Sequence, residues 1–230
     1  MALMSFYLGL AALALLAVLH VHASPAIIVP SNITADERRE FNISQRIDAD
    51  DSDTRERFDA YRVYLSLEPP GWGAGPVCWL SYAEDLDTKQ VNITIPADVA
   101  PDETQIRIST SLYKKGQSHV NGYSYSIHAR LLGANGTWSQ RELDGRTISD
   151  ENKVSCWAFG CVRRCNERYY TGDKTRYNDE TSEEKKEACA DQCVKDLNPR
   201  GSPGSGSANL RPMPSILIAS VAVGIVLRIL

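Results

Sequence analysis

Six cysteines are the side chains of this 230-residue chain with the most chemistry open to them. Four stand as two Cys-x-x-x-Cys pairs, Cys161 with Cys165 and Cys189 with Cys193. On a helix that spacing puts both sulfurs of a pair on one face. Thiolates so placed can hold zinc; in an oxidising compartment they form disulfides instead. Disulfides are the expectation here, for reasons that lie at the ends of the chain. Helical geometry selects Cys161–Cys193 and Cys165–Cys189 between two antiparallel helices, which leaves Cys78 to join Cys156.

Other chemistry finds less to work with. His119 and His128 are the histidines beyond residue 22, and no ligand spacing joins them. An N-terminal copper histidine would need cleavage before His20 or His22, with Leu19 or Val21 as the last leader residue, a poor fit. Asp48, Asp50, Asp51 and Asp53 lack the glycine and distal glutamate of a calcium loop and read as a solvated acidic loop. No Gly-x-Ser-x-Gly elbow occurs. Nothing singles out a carboxylate pair for glycoside hydrolysis. The expectation is therefore no catalytic residue, no metal and no cofactor. Trp72 is the remaining candidate for a ligand contact, because an aromatic face in a Gly/Pro-rich loop can stack on a sugar ring. Tyr64, Tyr113, Tyr169 and Tyr170 sit among polar residues, while Trp79 and Trp157 adjoin Cys78 and Cys156, as if to shield a disulfide.

The elements that must position these residues follow from periodicity. Residues 58 to 142 alternate with the strand period of two. Tyr61, Val63, Leu65 and Leu67 form one inward row against Arg62, Tyr64 and Ser66; Val91, Ile93 and Ile95 form another; Ile106 and Ile108 a third. Tyr123, Tyr125, Ile127, Ala129 and Leu131 alternate with Ser124, Ser126, His128 and Arg130. Residues 77–82 and, more briefly, 137–140 are further strand candidates, and 27–29 could be the first strand. The breaks carry turn chemistry, chiefly Glu68-Pro-Pro-Gly-Trp-Gly-Ala-Gly-Pro76. This pattern predicts an antiparallel β-sandwich over 58–149, with a first strand at 26–30, after a polar and partly disordered segment, 24–57. A helical hairpin stapled by its disulfides follows over 150–199. Its second helix is capped by Thr181-x-x-Glu184 and stopped by Asn198-Pro199.

The two ends give an address. Residues 1–23 read as a signal peptide, with an apolar centre from Leu8 to Leu19 and Val21-His22-Ala23 before the cleavage point. At the other end, 216–227 would span only about 18 Å as a helix, short of the roughly 30 Å of a bilayer core. A glycosylphosphatidylinositol (GPI) signal fits better: attachment at Ser205 or Ser207 within 200–214, then a removed apolar tail, 215–230, which departs from the usual pattern at Arg228. Asn32, Asn42, Asn92 and Asn135 each begin an N-glycosylation acceptor. A formal net charge of -4 offers no basic field for nucleic acid.

Three segments within 61–132 carry a resemblance: Tyr-Arg-Val-Tyr-Leu (61–65), Val-Asn-Ile-Thr-Ile-Pro-Ala-Asp-Val-Ala-Pro (91–101) and Gly-Tyr-Ser-Tyr-Ser (122–126). They resemble secreted, GPI-anchored fungal surface proteins with the immunoglobulin-like N-terminal domain of the yeast β-1,6-glucan assembly family. The resemblance implies an immunoglobulin-like sandwich and lends no catalytic residue. The long Ser/Thr-rich stalk of those relatives is replaced here by the cysteine-paired segment.

The expected function is that of a GPI-anchored, N-glycosylated surface protein, structural or adhesive, at the outer membrane face or in a fungal wall. Its partners would be the membrane through the lipid, and wall polysaccharide. The alternative is a secreted module that binds carbohydrate or a host protein, and an enzyme acting on glycosides ranks third.

Overall fold

The computed structural model describes residues 26–45, 51–115, 120–170, 180–200 and 202. The expected leader, Ser205, Ser207, the apolar tail, Asp48, Asp50 and His119 lie outside the described residues. Among the described residues no helix is long and apolar enough to cross a membrane.

The protein is mainly β, in two sheets with helices packed on them. In chain order the strands are β1 (Ala26–Ile27), β2 (Asn32–Thr34) and β3 (Arg39–Gln45). A short helix, α1 (Ser52–Arg57), precedes β4 (Ala60–Leu67), β5 (Gly75–Asp85) and β6 (Gln90–Ile93). A 3-10 turn at Ala97–Val99 leads to β7 (Gln105–Tyr113), β8 (Val120–Tyr125) and β9 (Ala129–Leu132). Three helices close the fold: α2 (Gln140–Leu143), α3 (Cys156–Tyr169) and α4 (Glu180–Leu197). The larger sheet runs β2-β9-β7-β4-β5 with β8 beside β7; the smaller runs β1-β3-β6.

The inward rows meet as the alternation predicts. Val63, Leu65, Leu67, Ile106 and Ile108 from the larger sheet pack against Phe41, Ile43, Val91 and Ile93 from the smaller, and Phe159 and Val162 of α3 join the same core. One contiguous core therefore crosses the expected boundary at residue 149.

Several expectations are corrected. The pairing is not wholly antiparallel: β2 runs parallel to β9, with Ile33 opposite Leu131. Most of the domain lies between those two strands and supplies the long crossover that a parallel pair needs. The polar segment 24–57 contains β3, whose Phe41 and Ile43 are buried between exposed Asn42 and Ser44. Two inward apolar residues sufficed, because β6 pairs with it. The expected strand at 137–140 is instead the entry to α2, where the Ser139 hydroxyl and the Glu142 carboxylate form a capping box. Thr181 lies inside α4 and not at its cap.

The run 123–131 also breaks. Ser126 interrupts it: its backbone N–H donates to Ile108 O and its hydroxyl accepts from Ile108 N. The alternation loses phase there, so Ile127, expected inside, is 69% exposed.

β4 is buried on both faces. Its expected outer row, Arg62, Tyr64 and Ser66, is covered because the segment before α3 lies across it. Asn152 Oδ1 accepts from Arg62 Nη1 and from the Tyr64 hydroxyl, both at 2.9 Å. The disulfides Cys78–Cys156, Cys161–Cys193 and Cys165–Cys189 fasten α3 to β5 and to α4.

Candidate functional site

Trp72 is placed by local chemistry first. Pro69-Pro70-Gly71-Trp72 forms a β-turn closed by Trp72 N–H to Pro69 O at 3.0 Å, and Gly71 at the third position has φ +86. That is the type II pattern, with proline second and glycine third. The turn lifts the indole off the sheet toward α2.

α2 then fixes the ring. Its last carbonyls have no partner within the helix, and Leu143 O accepts from Trp72 Nε1 at 3.0 Å. Gly145 follows the helix with φ +74, the left-handed residue that ends many helices. A Cβ on Gly145 would stand 2.3–2.4 Å from three consecutive atoms of the indole six-membered ring. Such near-equal distances put the glycine over the ring's face, not its edge. Trp72 therefore has one face seated on backbone and its N–H satisfied, yet is 48% exposed.

α2 is itself held from beneath. Glu142 takes a two-point hydrogen bond from Arg163 of α3, Nε to Oε2 at 2.8 Å and Nη2 to Oε1 at 2.9 Å. Arg163 also donates to Asp98 O and Val99 O, at 3.1 and 2.6 Å. The cystine-linked helices thus reach the loop tryptophan through one ion pair.

Trp72 borders a groove of about 660 Å³ whose other walls include Glu68, Pro70, Thr104, Gln105 and Trp138. Beyond Glu68 the outer face of the larger sheet continues with polar and aromatic groups. Glu68 Oε2 lies 3.4 Å from His128 Nε2. Arg107 Nε donates to that same nitrogen at 3.1 Å, and its guanidinium lies 6.0 Å from the Tyr125 ring centre. Nε2 cannot accept from arginine and donate to glutamate at once. The shorter, aligned Arg107 contact makes it an acceptor, which agrees with the absence of any hydrogen bond to the buried Glu68 Oε2. Tyr125, 39% exposed, marks the far end of this strip. Burial raises its phenol pKa, while Arg107 pulls it down.

A second cavity, about 690 Å³, lies between the 147–154 segment and α4 and mixes Arg141, Lys153 and Lys186 with Asp150, Glu187 and Asp191. Lys153 lies 3.8 Å from Asp150, while Arg141 and Lys186 both pair with Glu183.

The remaining predicted residues stand apart from the groove's walls. Asn32, Asn42, Asn92 and Asn135 are all exposed. Asn42 and Asn92 share the outer face of the smaller sheet, in the adjacent pairs Asn42–Gln90 and Glu40–Asn92. The sulfurs of Cys161, Cys165 and Cys193 cluster within 4.8 Å, but each is in a disulfide and offers no thiolate to a metal. Of the expected aromatics, Tyr64 and Tyr113 are buried, and Trp157, expected to shield a disulfide, is 47% exposed.

Sequence reasoning singled out Trp72 and missed Glu68, Gln105, Arg107 and His128. The signal was partly present: strand alternation already put Gln105, Arg107 and His128 on solvent-facing rows.

No family profile matches this chain, and no curated protein matches it. Among solved structures, one chain comes from work on the "structural basis of T cell specificity and activation by the bacterial superantigen toxic shock syndrome toxin-1". It is 9% identical, with 45% of this chain and 92% of that one covered and a TM-score of 0.25. A score that low falls short of a shared fold.

Proposed function

We propose that this protein is a GPI-anchored, N-glycosylated cell-surface protein of structural or adhesive role that holds a wall polysaccharide in the Trp72 groove. In this reading the two sheets are an immunoglobulin-like sandwich, and α3 with α4 is its stapled helical hairpin. The observation that carries it is the state of Trp72: pinned through Leu143 O and Gly145, yet half exposed along a groove. A ring already immobilised loses little entropy when a sugar stacks on it. Three disulfides and four exposed acceptor asparagines support passage through an oxidising secretory route.

Two measurements test the reading. Retention on insoluble glucan or chitin should be lost in Trp72→Ala while the thermal transition stays intact; equal retention by the variant would remove the groove from the function. Phosphatidylinositol-specific phospholipase C should release the native protein from membranes on which a control anchor is cleaved. Protein that stays behind, with Leu230 still attached by mass spectrometry, would overturn the anchor.

A further inference from the structure

We infer that the Trp72 groove selects uncharged pyranose chains, and that Glu68 is its specificity-determining hydrogen-bond acceptor. This rests on the polysaccharide reading above and narrows it.

Glu68 carries the carboxylate in the groove's wall. It borders the groove beside Trp72, and its side chain is 37% exposed. Its Oε2 is turned inward without a hydrogen bond, since the nearby His128 nitrogen is already taken by Arg107. Among the described residues the carboxylate receives no hydrogen bond at all. An ionised carboxylate accepts at both oxygens, about four lone-pair sites in all. Oε2 is shut away from the groove, so a ligand rich in hydroxyl donors meets the carboxylate at its open oxygen, Oε1.

Charge then decides the class. Arg107 reaches Glu68 through His128, so the local balance of that strip is close to zero. A uronate or phosphate would face the Glu68 carboxylate, and an amino sugar would bring a second cation toward Arg107. An uncharged pyranose meets neither repulsion. Its axial C–H face suits the open side of the indole, and its equatorial hydroxyls reach Glu68 and the exposed amide of Gln105. Bonds to the charged acceptor give directional selection, whereas the indole binds any ring of that shape.

The test uses the full secreted chain with its disulfides intact. Binding to a soluble neutral β-glucan, to chitosan and to polygalacturonate is measured at low and high salt. The expected order is neutral glucan first, with little change in affinity on adding salt, because no net charge is screened. Glu68→Gln should weaken glucan binding about tenfold to a hundredfold. Arg107→Gln should instead improve chitosan binding, by uncovering the Glu68 charge. Tighter binding of either charged polymer, or unchanged binding in Glu68→Gln, overturns the inference. If Trp72→Ala still abolishes glucan binding in that case, the groove stands and only its selectivity falls. If no polysaccharide binds the wild type, both fall together.

Discussion

Arg163 in α3 and Arg62 in β4 are 4% and 2% exposed, and the protein accommodates the two cations by different means. Arg163 is answered by a carboxylate, with both oxygens of Glu142 engaged, and by two carbonyls. Arg62 has no carboxylate in ion-pair range among the described residues. Its guanidinium lies 4.1 Å from the Tyr82 ring centre and 4.3 Å from that of Tyr113, and it donates to Asn152 and to the Tyr82 hydroxyl. The helix side thus uses a directional ion pair that ties α2, α3 and the 3-10 turn together. The sheet side uses aromatic faces together with a neutral acceptor, Asn152, in place of a carboxylate. The Arg163 pair thus supports the helix that seats Trp72, while the Arg62 cluster closes the segment before α3 onto the larger sheet, away from the groove's walls.

The largest expected effect tests the ion pair. Glu142→Ala strands a buried guanidinium and should cost about 3–5 kcal/mol in denaturant unfolding. Glu142→Leu with Arg163→Met should recover most of that, since removing both charges removes the desolvation cost as well. A double variant no more stable than Glu142→Ala would mean the two sites do not differ as described.

Arg62→Met should cost less, about 2 kcal/mol, because it removes cation–aromatic contact without leaving a charge behind. A loss as large as that of Glu142→Ala would show Arg62 to be equally dependent on a hidden anionic partner.

The sheet side should also be the alkaline weak point. Burial raises the phenol pKa of Tyr64, Tyr113 and Tyr123, and for Tyr123 the Glu151 carboxylate adds to it. A phenol whose pKa is higher in the folded chain keeps its proton longer there. Its stabilisation is full below the unfolded value, about pH 10, and is lost as pH rises beyond it. Denaturation midpoints should hold through neutrality and fall above that point, with the tyrosinate absorbance of these residues arriving together with unfolding. Their early titration in a chain with native circular dichroism would contradict the burial.

The smallest effect links the two regions. Gly145→Ala forces a side chain into a left-handed backbone and against the Trp72 ring, at a cost of about 1–3 kcal/mol. Its sharper consequence is functional: a dislodged indole should reduce polysaccharide retention several-fold although the substituted residue touches no ligand. Undiminished retention would show that the seat of Trp72 is irrelevant to binding.

How far residues speak for themselves varied with how local their partners are. The spacing of Cys161, Cys165, Cys189 and Cys193 names the same bridges that the structure contains, since a helix fixes i and i+4 without outside help. Alternation places Val63, Leu65, Ile106 and Ile108 in the core for the same reason. It fails at Ile127, where the Ser126 hydroxyl takes over a backbone partner and shifts the phase. It fails again for Arg62 and Tyr64, because nothing near them in sequence announces that Asn152 will cover them.

The sequence by itself determined the strands with sustained alternation, the cystine pairing and the turn that raises Trp72, all of them matters of neighbouring backbone geometry. The tertiary structure alone decided that Leu143 O and Gly145 would meet that indole, and that Glu68, His128 and Arg107 would share one face beside it. Those contacts join residues tens of positions apart. They exist only once burial of the common core has met the entropy of closing the chain.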